Sequence, residues 1–467
     1  MRSPLVSMIM ALSASWPAVA FSAASSPASA ASSGRPNILL LLTDDQRTDT
    51  IAALGNPVIH TPHLDTLARS GMVFTNAYIL GSNTPAVCLP SRNMLLSGRA
   101  YFRWEGPQAP ADGPNFPDAL RDAGYLTYHH GKRSNSALAI QERFEINRYL
   151  QEDAARREGR PGREIVDQAL AFLRSRPDDR PFFMYLAFAS PHDPRVADPA
   201  DLALYDRARI PLPPDFLPLH PFDNGETVVR DELLAPWPRT PDEIRRHLHE
   251  YYAVITGLDR QIGRLLTGLR DLNLADETLV IFSSDNGLAL GSHGLMGKQS
   301  LYEHSAKVPL ILAGPGIAPG RCDALVYLLD LLPTVCDLVG APIPPGLDGV
   351  SLRPLLERRS RAVREDLFTA YRDCQRAVRD DRWKLIRYPL IDRSQLFDLA
   401  SDPAETRDLS ADPDQAPRIA RMMSLLAERQ RQFGDRAPLR VPEPRDAAFV
   451  PPAGAALEEI RAKWHVR

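Results

Sequence analysis

The chain has 467 residues, a formal net charge of −3, 43 prolines and four cysteines. The near-balanced charge leaves no basic stripe of the kind that nucleic acid requires, and four cysteines in so long a chain cannot build a disulfide framework. The length exceeds what one core usually serves and predicts two domains.

Residues 1–30 read as an export signal, with Arg2 at the start, a mostly apolar run from Leu5 to Val19 and the small-x-small pattern Ala28-Ser29-Ala30; a cut after Ala20 is the alternative. The run is too short, and too broken by Ser13, Ser15 and Pro17, for a membrane span of about 20 residues. The expected product is released into the periplasm or the extracellular space, without a membrane span.

Pro36–Leu42 is a largely apolar run that reads as a buried parallel strand. It delivers Asp44 and Asp45 at its carboxyl end, where open α/β sheets bind ligands. One aspartate would satisfy a helix cap; a second beside it adds repulsion, so the pair is a candidate cation site. A helix is expected over Pro62–Gly71 and a strand over Met72–Tyr78. Pro85 and Pro90 then bracket Cys88, and a helix starting at Ser91 would set the thiol at a helix N-terminus beside the positive charge of Arg92. By itself a lone cysteine in a loop is more often a small buried hydrophobe.

Further on, a helix over Phe116–Gly124 and a strand over Tyr125–His130 lead to Gly131-Lys132. A lysine there would ordinarily be a solvated charge. Ile165–Arg174 has helical spacing, and the strand Pro181–Ala189 ends in Ser190-Pro-His192-Asp193-Pro-Arg195, where Asp193 and Arg195 could touch a substrate but are expected to pair at the surface. Residues 196–241 form a long proline-rich connection of the sort that shapes clefts. A helix over Glu243–Leu269 precedes a strand, Thr278–Ser284, that presents Asp285-Asn286-Gly287; these repeat the Asp44-Asp45 geometry, although Asn-Gly alone also suits a tight turn. The glycine-rich run Gly291–Lys298, then His304, then a strand over Val308–Leu312 follow. His293 and His304 are read as supporting or packing residues. Cys322, Cys336 and Cys374 are read as core residues or one incidental disulfide. Beyond residue 365 four short strands, a helix over Pro417–Gln432 and an irregular tail are expected.

The order Cys88-Leu-Pro-Ser-Arg92, followed by Leu96-Ser-Gly-Arg99, resembles the signature of type I sulfatases, and the remaining family motifs occur in the family's order from about residue 35 to about 410. The resemblance implies an alkaline phosphatase-like α/β fold: a large mixed, mostly parallel sheet flanked by helices in a catalytic domain over 35–365, with a smaller antiparallel-sheet subdomain and tail over 366–467. It implies that a formylglycine-generating maturation enzyme oxidises Cys88, and that a hydroxyl of the hydrated aldehyde attacks sulfur while the second later allows sulfate to leave. It also implies that Asp44, Asp45, Asp285 and Asn286 hold a metal, that Lys132, Lys298 and Arg92 face the sulfate, and that His192 of a Pro-His-x-Pro motif, alone or with Lys298, protonates the leaving alcohol. Four hard oxygen donors select Ca²⁺ or Mg²⁺ over Zn²⁺, and Ca²⁺ better tolerates irregular geometry. The chain departs from the family at Gly131-Lys132-Arg133-Ser134, where Gly-Lys-Trp-His is common; His129 and His130, facing opposite ways on a strand, do not inherit the missing role. The expected substrate is a sulfated carbohydrate or small molecule, with a phosphonate or phosphate ester hydrolase and an inactive glycan-binding homologue as alternatives.

Overall fold

The structure is a computed structural model and describes residues 34–151 and 158–465. The export signal expected in residues 1–30 lies outside them. The strands, in chain order, are β1 (Asn37–Asp44), β2 (Met72–Tyr78), β3 (Gly81–Ser82), β4 (Leu126–Gly131), β5 (Ile146–Tyr149), β6 (Phe182–Pro191), β7 (Thr278–Ser284), β8 (Lys307–Ala313), β9 (Gly320–Tyr327), β10 (Leu367–Tyr371), β11 (Gln375–Arg379), β12 (Trp383–Tyr388) and β13 (Arg393–Asp398).

All eight residues of β1 are buried, because both faces of its sheet are covered. Ile38, Leu40 and Leu42 point into one apolar core, and Leu39 and Leu41 into a second. That alternation explains why the strand reads as a continuous apolar run instead of an apolar-polar one. The first core takes Leu331, Leu332 and Val335 from the helix Leu331–Leu338. The second takes Leu258, Ile262 and Leu265 from the 31-residue helix Pro241–Asp271.

The main sheet has the order β5-β4-β6-β1-β7-β8-β2-β9. It is parallel throughout except for β8, which runs antiparallel to both neighbours. The smaller sheet, β13-β12-β11-β10-β3, is antiparallel over its four C-terminal strands. Its fifth member is the two-residue β3, parallel to β10 and drawn from the segment just before Cys88. Gly81 has φ 124°, and a Cβ there would run into the Ala370 carbonyl, so this close approach requires glycine.

Three expectations need correcting. The helix expected from Ser91 begins at Cys88 and runs to Ser97, since a proline in the first turn, here Pro90, forfeits no helical hydrogen bond. The tail contains a helix, Gly454–Lys463, rich in the strong helix formers Ala, Leu, Glu, Arg and Lys. Asp193, expected to pair at the surface, does pair, with Arg230, but is buried. All four cysteines are free, and Cys336 and Cys374 are buried. Among the described residues no helix is long and apolar enough to cross a membrane.

Candidate active site

Four parallel strands end on one side of the sheet, and their register decides which side chains meet. Thr43 of β1 pairs with Ser284 of β7, so the residues that follow, Asp44-Asp45 and Asp285-Asn286, emerge next to each other. Asp285 donates its backbone N–H to Thr43 O at 3.1 Å, and Asp45 donates its own to Asp285 Oδ1 at 3.1 Å. Asp45 turns the chain with φ 68°. On the other flank Asp44 pairs with Pro191 of β6, which puts His192 next, and Gly131 of β4 pairs with Ala187, which puts Lys132 beside them.

The helix Cys88–Ser97 faces these strand ends. Ser91 Oγ donates to the Asp285 carbonyl at 2.5 Å, and Arg92 Nε donates to Asp285 Oδ2 at 2.7 Å. Two successive residues thereby pin the first turn on β7. Cys88 Sγ lies 3.1 Å from Asp44 Oδ1 and 3.6 Å from Asp45 Oδ1. Lys298 Nζ lies 3.1 Å from that sulfur and 2.6 Å from Asp45 Oδ1, while Lys132 Nζ lies 2.5 Å from Asp44 Oδ2. His192 places Nε2 3.8 Å from Asp45 Oδ2 and donates from Nδ1 to the Asp193 carbonyl at 2.7 Å. All nine candidate residues therefore meet around one point.

Burial there makes charge expensive, and the group shares it unevenly. Burial, reinforced by the Asp285 and Asp44 carboxylates, pushes the Cys88 thiol well up, so at neutral pH it is S–H. Burial and the neighbouring Asp44 raise Asp285. Asp44 moves the other way: against the cost of burial, Lys132, His192, Arg92 and Lys298 hold its carboxyl well below the usual range. Asp45 and its neighbours hold Lys298 protonated against burial.

Asp44, Asp45, Cys88 and Asp285 each offer a donor atom within 4.8 Å of the others. Asn286 donates from Nδ2 to Asp45 Oδ1 at 2.7 Å, while its Oδ1 is buried and makes no hydrogen bond. An unpaired buried carbonyl beside three carboxylates fits a hard, oxygen-seeking divalent cation.

The residues at 129, 130, 133 and 134 behave differently. His129 donates from Nδ1 to Asn147 Oδ1 at 2.7 Å, and burial pulls its pKa down to about 3. His130 faces Glu164 on the opposite side. Arg133 and Ser134 are exposed. Sequence reasoning missed Glu232, whose carboxylate accepts from the backbone N–H of Met296 and Gly297 and so shapes the loop in front of Lys298. It also missed Asp231, which accepts from Gln299 Nε2 at 2.9 Å. Both sit in the proline-rich connection, which has no periodicity to read.

A family model described as Sulfatase matches residues 36–341. The chain belongs to the sulfatase family. This sulfatase is a sulfuric ester hydrolase, and the family implies formylglycine and a divalent cation. A second model, described as the C-terminal part of N-sulphoglucosamine sulphohydrolase, matches residues 291–432. The sulfatase is 30% identical to the choline-sulfatase of Rhizobium meliloti over 81% of its own length and 83% of the relative's. It is 25% identical to an N-acetylglucosamine-6-O-sulfatase of Bacteroides thetaiotaomicron, over 86% and 88%. It shares its fold with a protein solved in complex with its substrate D-glucosamine-2-N,6-O-disulfate (TM-score 0.73, 24% identity, 87% and 99% covered). It also shares it with the phosphonate monoester hydrolase of Agrobacterium radiobacter (TM-score 0.73, 22% identity, 85% and 96% covered).

Proposed function

We propose that the enzyme hydrolyses the sulfate ester of a carbohydrate outside the cytoplasm, with residue 88, as formylglycine, acting as nucleophile. Formylglycine supplies, as its hydrate, an oxygen nucleophile with a second hydroxyl through which the aldehyde can reform; a serine or cysteine would be left with a stable adduct. Ca²⁺ is the cation we assign to Asp44, Asp45, Asp285 and the Asn286 carbonyl, where it would draw charge from the ester oxygens and ease loss of a hydroxyl proton.

The chain's own groups do the rest. Lys132, Lys298 and Arg92 set fixed positive charge where the transition state gathers negative charge, in a site with little water to screen it. Lys298 is held by Asp45 within reach of residue 88 and orients its reacting oxygen. His192 has Nδ1 committed to the Asp193 carbonyl, so the proton for the departing alcohol comes from Nε2. General acid help of this kind contributes roughly 10²–10⁴-fold.

The observation that carries the reading is the meeting of Cys88 with Asp44, Asp45 and Lys298. For the substrate, support comes from the two carbohydrate names among the matches. Sulfate release from a panel of sulfated monosaccharides, with choline sulfate and a phosphonate monoester alongside, tests this. A sulfated sugar should give the highest kcat/KM; preference for choline sulfate would overturn the substrate assignment, and preference for the phosphonate would overturn the choice of ester. Export is tested by finding the activity in the periplasmic or culture fraction.

A further inference from the structure

Asp215, His293 and His304 come from three separate segments: the proline-rich connection, the glycine-rich loop before Lys298, and the short helix Glu303–Ala306. One donor atom from each lies within 4.8 Å of the others. They are 9%, 6% and 8% exposed. Asp215 Oδ1, His293 Nδ1 and His304 Nε2 are all buried without a hydrogen bond. Folded chains rarely leave one such atom unpaired, and three converge here.

The far side of each imidazole is occupied. His293 Nε2 lies 3.0 Å from the Glu405 carbonyl. A carbonyl can only accept, so Nε2 carries a proton and Nδ1 is the nitrogen turned towards the cluster. His304 Nδ1 lies 2.8 Å from Ser305 Oγ, which leaves Nε2 free. Metal-binding histidines are oriented in this way, one nitrogen on an oxygen partner and the other on the ion. The loop is held in the required shape: His293 adopts φ 52°, donates its backbone N–H to Asp215 O at 2.7 Å and stacks on Tyr302 with ring centres 3.8 Å apart. A simple ion pair between His293 Nδ1 and Asp215 Oδ2, which are 3.1 Å apart, would leave both His304 Nε2 and Asp215 Oδ1 unexplained. A cavity of about 160 Å³, lined among others by Asp215, His304, Arg47 and Glu405, adjoins the cluster and can hold water as a further ligand. Arg47 does not compete, since its guanidinium is committed to Asp49 and to the carbonyls of Leu288 and Ala289.

We propose that Asp215, His293 and His304 form a second metal site, separate from the carboxylate-rich one, that takes Zn²⁺ or a similar ion. Two imidazoles and one carboxylate are borderline donors that suit Zn²⁺, whereas the Asp44 group suits a hard cation. The ion's place in the fold is structural. His293 stands between Asn286 and Lys298 in sequence, so the ion ties the loop carrying the active-site lysine to the proline-rich connection and to the short helix that follows the loop.

The test reads metal content and stability, and does not depend on turnover. Purified full-length protein is stripped with a chelator, resaturated with Ca²⁺, and titrated with Co²⁺ and then Zn²⁺. The expected result is one equivalent of Co²⁺ with the visible absorption of a low-coordinate nitrogen-oxygen site, displaced by Zn²⁺, and a higher Tm with Zn²⁺ bound. His304→Gln and Asp215→Asn should each abolish the Co²⁺ spectrum, while Cys88→Ala should retain it. Absence of Co²⁺ and Zn²⁺ uptake by the Ca²⁺-saturated wild type would overturn the proposal whatever the variants do, as would an unchanged spectrum in His304→Gln.

Discussion

Lys298 reaches the sulfur of Cys88 at 3.1 Å while bonded to Asp45 at 2.6 Å. The lysine is therefore fixed by a carboxylate from another strand end and cannot be replaced by a freely moving charge. Lys298→Ala should lower kcat by roughly 10²–10³-fold, and Cys88→Ala should abolish turnover with the fold retained by circular dichroism. Mass spectrometry should find formylglycine at position 88 in protein produced with a maturation enzyme. Active protein carrying only the thiol would sink the mechanism.

Asp44, Asp45 and Asp285 repel one another, and a bound cation relieves this. Chelation should lower both activity and Tm, and Ca²⁺ should restore them. Asp285→Ala is a poor probe, because it leaves Arg92, wholly buried, without its 2.7 Å partner. Breaking such a pair costs about 3–5 kcal/mol. Asp285→Asn keeps an acceptor for Arg92 and should lose activity with a smaller loss of stability. Unchanged activity and Tm in protein verified by elemental analysis to be metal-free would end the cation reading.

The departure from the family at Ser134 gives a third test. Lys132 is buried against Asp44, whereas Ser134 is exposed. Lys132→Ala should cost a large part of kcat, and Ser134→Ala little. Full activity in Lys132→Ala would mean that this motif has been misassigned.

Asp259 offers a test away from the site. Its carboxylate receives the backbone N–H of His63 and Leu64, yet burial raises it from 3.8 to about 7. A carboxyl that stays protonated in the fold but ionises when unfolded favours the unfolded chain as pH rises. Its contribution to stability is thus present below about 4, is lost progressively up to about 7, and is constant above that. A tenfold difference in proton affinity between the folded and unfolded chain is worth about 1.4 kcal/mol. Urea unfolding from pH 4 to 8 should show that Asp259→Asn flattens the decline relative to wild type; an identical pH profile would refute the assignment.

Much of this was legible because parallel strands leave two signals in sequence: a continuous apolar run, and polar residues where it stops. β1 with Asp44-Asp45 and β7 with Asp285-Asn286 show both, and neighbouring strand ends must lie close in space. The Cys88 motif added the family resemblance on which residue 88 is proposed as the nucleophile. What could not be read depends on contacts between segments far apart. β3 has two residues and no pattern of its own, and exists only because β10 lies beside it. Glu232 acts through the amides of Met296 and Gly297, which any sequence would supply. Asp215, His293 and His304 look like isolated polar residues until the chain brings them together.

The pairing of β3 with β10 sets an order of events. Cys88 is 1% exposed in the finished fold, so an enzyme that oxidises it has to reach the chain before that fold closes. The strand segment next to the cysteine waits for residues 367–371, which leave the ribosome long afterwards. At typical rates of synthesis the delay is on the order of tens of seconds. If residue 88 is converted to formylglycine as proposed, the C-terminal sheet would act as a timer: the later its last strands arrive, the longer residue 88 would stay open to modification. Moving those strands earlier by circular permutation would shorten that interval and lower the modified fraction, with every active-site residue left in place.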